Sequence, residues 1–212
     1  MNADNIKINT HSSIKIEGTK TIYFDPWQIK DSSFDADIIF LTHDHFDHFS
    51  PEDIKKIKKA ETKIVAPLST KENVSKDSGV AIENLIFLSP DESLDLDGIK
   101  IQAIPAYNPN KKFHPRENNW LGYLVEMDGI KYLVTGDTDA TDELLKVKCD
   151  ISLTPIGGTY TMTAKEAAEA VCIISPKLAI PTHYGNIVGE MEDGEIFKSI
   201  LEKAGISVEL KI

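Results

Sequence analysis

Three of the six histidines of this 212-residue chain fall within one short segment that also holds two carboxylates. The segment reads Thr42-His43-Asp44-His45-Phe46-Asp47-His48. Burying so many imidazoles and carboxylates together is costly unless a partner satisfies them. Imidazole and carboxylate are ligands that suit zinc, iron or manganese. The segment therefore predicts a divalent metal site, with a solvated loop of accidental histidines as the alternative.

The spacing within this segment divides the candidate ligands into two groups. His43 and His45 are two positions apart, so in an extended segment they point the same way. Asp47 and His48 are adjacent, and the bend into the following helix turns them elsewhere. Two ligand groups on one loop fit the two-metal hydrolytic sites in which the ions lie ~3.5–4 Å apart.

Two further candidates stand at the ends of apolar strands later in the chain. Asp137 follows the predicted strand Ile130–Val134, and Gly136 before it permits a close backbone approach. His183 follows the predicted strand Leu178–Pro181. A carboxylate at Asp137 could bridge two ions. A turn-forming aspartate and an ordinary surface histidine are the alternatives.

The elements that must position these side chains are short strands, in runs early in the chain and alternating with helices later. Strands are predicted at Ile6–Ile8, Ser13–Glu17, Thr21–Phe24, Ile38–Leu41, Lys63–Ala66, Leu85–Leu88, Ile99–Ile104, Tyr123–Met127, Ile130–Val134, Ile151–Leu153, Leu178–Pro181 and Val208–Ile212. Helices are predicted after the Ser50-Pro51 cap, near Ser69–Ser75, at Thr163–Ile174 and at Gly194–Ala204. This order predicts an α+β fold in which helices cover a mixed sheet system.

Composition limits the class of protein and its partners. Lys+Arg 23 against Asp+Glu 34 gives a net charge of −11, which disfavours nucleic acid. Length and ordinary globular composition predict one domain over residues 1–212. No apolar stretch suits a membrane span and no leader is evident, so we expect a soluble, cytoplasmic protein. Cys149 and Cys172 lack the spacing of a thiolate metal site and are interpreted as reduced thiols.

The pattern His43-x-His45-x-Asp47-His48 resembles the HxHxDH signature of the metallo-β-lactamase superfamily. The resemblance extends to four other segments, so it covers essentially the whole chain. They are His11-Ser12-Ser13, Phe24-Asp25-Pro26-Trp27, Gly136-Asp137-Thr138 and Pro181-Thr182-His183-Tyr184-Gly185. The chain is most similar to the ascorbate-phosphate-lactonase-like branch. The resemblance implies a four-layer αββα sandwich with the metals at one edge, between the two sheets.

The same resemblance assigns metal ligands residue by residue. It makes His43 and His45 ligands of a first ion, and Asp47, His48 and His183 ligands of a second, with Asp137 bridging. One position departs from the pattern, because many members have a further histidine after the strand that corresponds to Ile99–Ile104. Here that loop reads Pro105-Ala106-Tyr107-Asn108. Asn108 could be a weak substitute, and the nearest imidazole, His114, could be a ligand, an acid over the site or a surface residue.

Other residues are expected around the ligands. Asp25 is interpreted either as the acceptor of an imidazole N–H, which metal-binding histidines usually require, or as a turn carboxylate. His11 is expected beside the ligands or in the core, not on the metal. Tyr160, in a glycine-containing turn, could reach a substrate anion. The loop 108–120 concentrates positive and aromatic side chains, and we expect Lys111, Lys112, Arg116 and Trp120 to bind substrate.

These residues predict a hydrolase that uses a metal-bound hydroxide on a small-molecule substrate, an anionic ester or lactone. Asp47, Asp137 and His114 are the candidate catalytic residues. We expect one or two Zn²⁺ ions, with Mn²⁺ or iron as alternatives. Three alternative functions stay open: a phosphodiesterase or nuclease on the same ions, di-iron redox chemistry, and a non-hydrolytic metal-dependent ligand-binding protein. A homo-oligomer is also left open.

Overall fold

Two mixed β-sheets form the centre of the protein. The structure is a computed structural model that describes residues 3–212, and within these residues it has thirteen strands and four α-helices. The first sheet has the order β1-β2-β3-β4-β5-β6. Its strands are β1 (Ile6–Thr10), β2 (Ser13–Glu17), β3 (Thr21–Phe24), β4 (Ala36–Phe40), β5 (Lys58–Pro67) and β6 (Leu85–Leu88). β1 to β3 pair antiparallel, and β3 to β6 pair parallel.

The second sheet contains the remaining strands in the order β13-β12-β11-β10-β9-β8-β7. Its strands are β7 (Ser93–Leu96), β8 (Ile99–Pro105), β9 (Leu121–Met127), β10 (Ile130–Val134), β11 (Ile151–Pro155), β12 (Leu178–Thr182) and β13 (Ser207–Val208). The β7–β10 half is antiparallel and the β10–β13 half is parallel. The helices are α1 (Pro51–Ile57), α2 (Lys71–Asp77), α3 (Ala164–Ile174) and α4 (Met191–Lys203).

The core lies in three layers, which follow from the alternation of side chains along the strands. In β4, Ile38 and Phe40 point into the core between the sheets, while Ile39 points to the layer that α1 and α2 cover. In the second sheet, Leu133 faces the layer formed with α3 and α4. Because both faces of these strands are buried, their sequences read as continuous apolar runs. The result is the predicted αββα sandwich, and the fold class is confirmed.

Several local signals in the sequence are reproduced by the structure. Ser50 caps α1 and accepts a hydrogen bond from the Asp53 amide, and Thr163 and Glu166 form the expected capping box. In the turn between β9 and β10, Asp128 and Gly129 have φ of 54° and 76°, as a type I′ hairpin requires.

Four elements differ from the sequence-based prediction by more than two residues or were not predicted. Strand β5 begins at Lys58, five residues before its predicted start at Lys63. Helix α4 begins at Met191, not Gly194, because Glu190 and Asp193 form a reciprocal cap before it. The predicted strand Val208–Ile212 is reduced to β13, Ser207–Val208. Strand β7 was not predicted, because it is a four-residue edge strand whose polar side chains leave little apolar signal. No helix among residues 3–212 is long and apolar enough to cross a membrane.

Candidate metal centre

All six histidines of the chain meet at one edge of the sandwich. They arrive on separate connections, at or near the ends of strands in both sheets. The segment after β4 carries His43, His45 and His48, while His11 lies in the β1–β2 turn and His183 directly follows β12. The two sheets are joined at this edge, since the Leu121 amide donates to the Thr42 carbonyl at 3.1 Å.

The first group of ligand atoms comes from three histidines. His43 Nε2 lies 3.0 Å from His45 Nδ1, so these two nitrogens converge. His114 joins them, and its ligand atom lies within 4.8 Å of theirs. The Trp120 ring packs at 4.7 Å from both the His43 and the His45 rings, measured between centroids. Trp120 therefore supports this group.

Asp137 stands at the middle of the centre. Its carboxylate lies 3.1 Å from His183 Nε2, 3.4 Å from His114 Nε2 and 3.5 Å from His48 Nε2. Asp47 completes the second side, with its Oδ2 3.7 Å from His48 Nε2. One carboxylate thus faces imidazoles of both groups, which is the arrangement that a bridging ligand needs.

The polar atoms of this centre are buried without enough partners. Within the described chain, His48 Nε2, His114 Nε2, Asp137 Oδ1 and both ring nitrogens of His183 are buried and have no hydrogen bond. Orphaned buried polar atoms are rare and need an explanation such as an ion. The donors are imidazole and carboxylate, which suit a divalent transition metal. The residues present therefore fit the predicted metal.

Asp25 orients two of the histidines from behind. It is buried, accepts hydrogen bonds from the Thr42 amide at 2.8 Å and hydroxyl at 2.7 Å, and accepts from His48 Nδ1 at 2.7 Å. The Thr42 hydroxyl, having donated to Asp25, can accept from His43 Nδ1 at 3.0 Å. With protons on both Nδ1 atoms, the Nε2 atoms of His43 and His48 face the centre and are the atoms that would bind an ion.

His114 has a different partner. It is buried rather than on the surface, and its Nδ1 lies 3.1 Å from Asn108 Nδ2, which also donates to the Tyr160 carbonyl. An amide NH₂ group only donates, so Nδ1 accepts and the proton of the neutral ring lies on Nε2. Burial lowers the pKa of His114 to about 4, against the opposing effect of Asp137, so the ring is neutral at pH 7.

His11 was expected beside the ligands, and it lies closer to the centre than that expectation implied. Its buried Nε2 is 3.3 Å from Asp47 Oδ2, and its ring lies 3.7 Å from the His183 ring between centroids. His11, Asp47 and His183 form a further group whose ligand atoms lie within 4.8 Å of one another. The His183 amide also donates to the His11 carbonyl at 3.0 Å.

Several residues of the centre have left-handed backbone conformations. The φ angles of His11, Asp25, His114 and His183 are 53°, 45°, 57° and 58°. Non-glycine residues rarely adopt such angles, and clusters of them mark functional sites. Gly136 has φ of 64°, and a Cβ there would lie 2.9 Å from the Leu121 carbonyl oxygen. This glycine allows the close approach that brings Asp137 into the centre.

The electrostatics of the centre favour an ionised Asp137 and a neutral His43, but a protonated His48. Burial alone would raise the pKa of Asp137, but His183 and His48 hold it well below its usual range. Burial lowers the pKa of His43 well below its usual value. A neutral imidazole and an ionised carboxylate are the protonation states in which these residues bind metal. Burial alone would lower the pKa of His48, but Asp137 and Asp25 raise it well above its usual value, so an ion bound there would displace a proton from this ring.

A cavity of about 350 Å³ opens above the centre. Asp47, Asp137, His45, His114 and His183 form its floor, and its sides are formed by Phe46, Phe113, Tyr160 and Ile187. Of the residues predicted to bind substrate, Tyr160 lines this cavity.

The other residues predicted to bind substrate do not line this cavity. Lys111 forms an ion pair with Asp139, and Arg116 pairs with Glu143 at 2.7 Å. Lys112 is exposed elsewhere on the loop. Trp120 packs behind the histidines.

The fold and the site together define an αββα sandwich with a candidate two-metal centre at one sheet edge. Residues 5–183 match the family described as "Beta-lactamase superfamily domain". The chain is 31% identical to a UPF0173 metal-dependent hydrolase of Thermococcus onnurineus, over 93% of this chain and 92% of that protein. It is 32% identical to a UPF0173 metal-dependent hydrolase of Pyrococcus abyssi, over 96% and 95%.

A solved structure gives the same result. A protein of Parabacteroides distasonis described as a candidate metal-dependent hydrolase superposes with a TM-score of 0.81 and 31% identity, over 97% of this chain and 91% of that chain. The chain therefore belongs to the metallo-β-lactamase superfamily. The resemblance to this superfamily is confirmed, and so is the prediction of an enzyme of the metal-dependent hydrolase class, while similarity to the ascorbate-phosphate-lactonase-like branch stays a prediction.

Proposed function

We propose that this protein hydrolyses a small ester or lactone at the centre formed by its six histidines, Asp47 and Asp137. The observation that carries the proposal is the convergence of three imidazoles on Asp137, with buried unpaired atoms, at the floor of an open cavity. Surface or core histidines would have partners or water. These side chains instead face one point that a substrate can reach.

The chain supplies two sets of ligands. On the assignment that the family resemblance implies, His43 and His45 would hold a first ion, and Asp47, His48 and His183 a second, with Asp137 between them. The Asp137 carboxylate lies 3.1 Å from His183 Nε2 and 3.5 Å from His48 Nε2, which supports this assignment. Divalent cations bound there would lower the pKa of coordinated water from 15.7 to about 7 and so supply a hydroxide at neutral pH. Zn²⁺ is the proposed ion, with Mn²⁺ or iron as alternatives for the same ligand set.

The residues of the floor have separate tasks in the hydrolysis. Asp137 Oδ1, which has no partner in the described structure, would accept a hydrogen bond from the attacking water and so orient it. The water oxygen bonds to the acyl carbon, the acyl–oxygen bond breaks, and the water proton passes to the leaving alkoxide. One water is consumed, and an acid and an alcohol are released.

We propose that His114 acts as a hydrogen-bond donor in this reaction. Asn108 leaves the proton of the neutral ring on Nε2, which points into the centre. A donor at this place can stabilise the negative charge that develops on the carbonyl oxygen or the leaving oxygen. Of the three roles that the sequence left open for His114, the hydrogen bond from Asn108 favours this one over a third ligand.

The described lining of the cavity offers no cationic side chain to the anionic substrate that the sequence predicts. Among the described residues that line the cavity there is no Lys or Arg. An acidic group on the substrate would therefore have to bind to the cations themselves. For the same reason a phosphodiester polymer is disfavoured, in agreement with the net charge of −11.

The proposal is tested by an activity screen of the metal-reconstituted protein against esters, lactones and phosphodiesters. Wild type is compared with His48→Ala and Asp137→Ala, and Asp77→Ala on exposed helix α2 is the control. We expect abolished turnover in the first two variants with the fold intact, and wild-type rates in the control. Unchanged turnover in both site variants would remove the mechanism. Ligand binding without any turnover would favour the ligand-binding alternative, and bound iron with redox activity the di-iron alternative.

We further propose that residues 1–212 act as one domain, because the two sheets share one core. A cytoplasmic location and a homo-oligomer stay predictions.

A further inference from the structure

The sides of the cavity are apolar, although its floor is polar. We call the set of Phe46, Phe113, Tyr160 and Ile187 the rim. Each comes from a different connection: β4–α1, β8–β9, β11–α3 and β12–α4. Four loops that differ in length and sequence thus each place one large apolar or aromatic side chain at the same opening.

Three rim residues are exposed to an unusual degree for their type. Phe46, Phe113 and Ile187 are 70%, 45% and 40% exposed. Single exposed apolar residues are ordinary on protein surfaces, but a contiguous group around a cavity marks a binding site. The rim surrounds the cavity whose floor contains Asp137 and His183. A ligand that covers the rim residues therefore also reaches the metal centre.

The rim rings are held in place by other aromatic side chains. Phe113 packs edge to face on Tyr160, at 4.8 Å between centroids and 88° between planes. Phe46 packs in the same manner on Trp27, at 6.1 Å and 77°. These contacts preorganise the rim before a ligand binds, which reduces the entropy lost on binding.

Two of the three cationic side chains on the loop 108–120 are held in ion pairs, and the third, Lys112, is exposed and does not line the cavity. Lys111 is paired with Asp139, and Arg116 is paired with Glu143 and stacked on the Tyr107 ring at 4.9 Å. Among the described residues that line the cavity above the floor, the Tyr160 hydroxyl is the one polar side-chain group, and the other contacts with a substrate would be dispersion and apolar burial.

We propose that the substrate is an uncharged ester or lactone whose acyl part is apolar and packs against the rim while its carbonyl lies over Asp137. This inference rests on the proposed hydrolase function and gives it a substrate class. The rim residues determine specificity, and the floor performs the reaction. Because each buried methylene contributes a constant free energy, the rate should rise about fourfold for each methylene that the rim can cover.

The test is a series of p-nitrophenyl esters with the metal-reconstituted protein: acetate, butyrate and hexanoate, with the hemisuccinate as an anionic ester. We expect kcat/KM to rise about fourfold per methylene along the series, and the hemisuccinate to be no better than butyrate. In Ile187→Ala the gain per methylene should fall to about twofold. Ile82→Ala, an isoleucine 74% exposed and remote from the cavity, is the matched control and should keep the wild-type slope.

A binding measurement separates this inference from the proposed function. Titration calorimetry with the products, hexanoate and acetate, on wild type and Ile187→Ala needs no turnover. Weaker hexanoate binding in Ile187→Ala without hydrolysis of any ester would overturn the hydrolase proposal and support the apolar rim. A flat slope in wild type, the same slope in both proteins, or a preference for the hemisuccinate would overturn the rim proposal. So would loss of a dimer in Ile187→Ala with an unchanged slope, because the rim would then be an interface between copies.

Discussion

The floor and the rim of the cavity are built in opposite ways. The floor is polar, buried and partly in strained backbone conformations, and its residues stand at or near the ends of strands. The rim is apolar and largely exposed, and its residues lie on loops. Strand ends give positions fixed by the sheet, whereas loops can change without loss of the fold. The difference indicates that separate parts of this molecule determine its reaction chemistry and its substrate specificity.

The largest effect is expected from a change in the middle of the floor. Asp137→Asn keeps the size of the side chain but removes the charge that faces His48, His114 and His183. We expect turnover to fall by about 10³-fold or more, with an unchanged circular dichroism spectrum. Steady-state assays on the metal-reconstituted variant measure this loss. A variant that keeps a tenth of the wild-type rate would show that the floor does not act through this carboxylate.

A smaller effect is expected at Asp25, which contacts His48 of the metal centre but does not line the cavity. Asp25→Asn weakens the hydrogen bond that orients His48, so metal affinity should fall about 10–100-fold. Competition with a fluorescent chelator gives the affinity. The control is Asp97→Asn, which removes an exposed ion pair with Lys63 and should leave metal affinity unchanged. Equal affinities in wild type and Asp25→Asn would contradict the orienting role.

Variants of His114 test whether every histidine of the floor is a metal ligand. If it is a donor, His114→Ala should lose about 10²-fold in turnover but keep the wild-type metal content, and His114→Gln should recover part of the rate through its amide N–H. Metal analysis and kinetics on the same samples check both statements. Loss of one ion per chain in His114→Ala would instead make it a ligand of the first group.

The smallest effect is expected at a helix cap that belongs to neither the floor nor the rim. Thr163→Ala removes the cap of α3, whose side chain accepts from the Glu166 amide, and should cost about 1 kcal/mol of stability. Urea unfolding measures the free energy change, and kcat/KM should equal that of wild type. A change in substrate preference would show that the rim is coupled to this helix.

The floor was largely predictable from the sequence because most of its ligand residues are close together in the chain. His43, His45, Asp47 and His48 lie in one segment, and Asp137 and His183 follow apolar strands, whose ends a sheet brings to the same edge. The fold was predictable for a similar reason, because short apolar runs such as Ile38–Phe40 mark the buried strands that form the layers.

His11 and His114 were harder to place, and of the four rim residues only Tyr160 was predicted. His114 reaches the centre through the path of the loop 106–120, which depends on its bond to Asn108 and its packing on Trp120. His11 sits in a turn with positive φ, a conformation that its local sequence does not specify. Rim residues such as Phe113 and Ile187 are single apolar residues in polar loops, with no period or spacing to relate them. For His11 and His114, the available signal was that the chain has only six histidines, four of which were already assigned to the metal centre.

The central claim is that side chains distant in sequence gather around metal ions, and metal analysis tests it most directly. The protein is reconstituted with Zn²⁺ and dialysed, and its metal content is measured by mass spectrometry. Anomalous diffraction data collected at the zinc absorption edge then locate the ions in a crystal. We predict about two ions per chain, between the 43–48 segment and residues 137 and 183. A protein that retains no ion, or density that places the 43–48 imidazoles away from Asp137 and His183, would contradict the account.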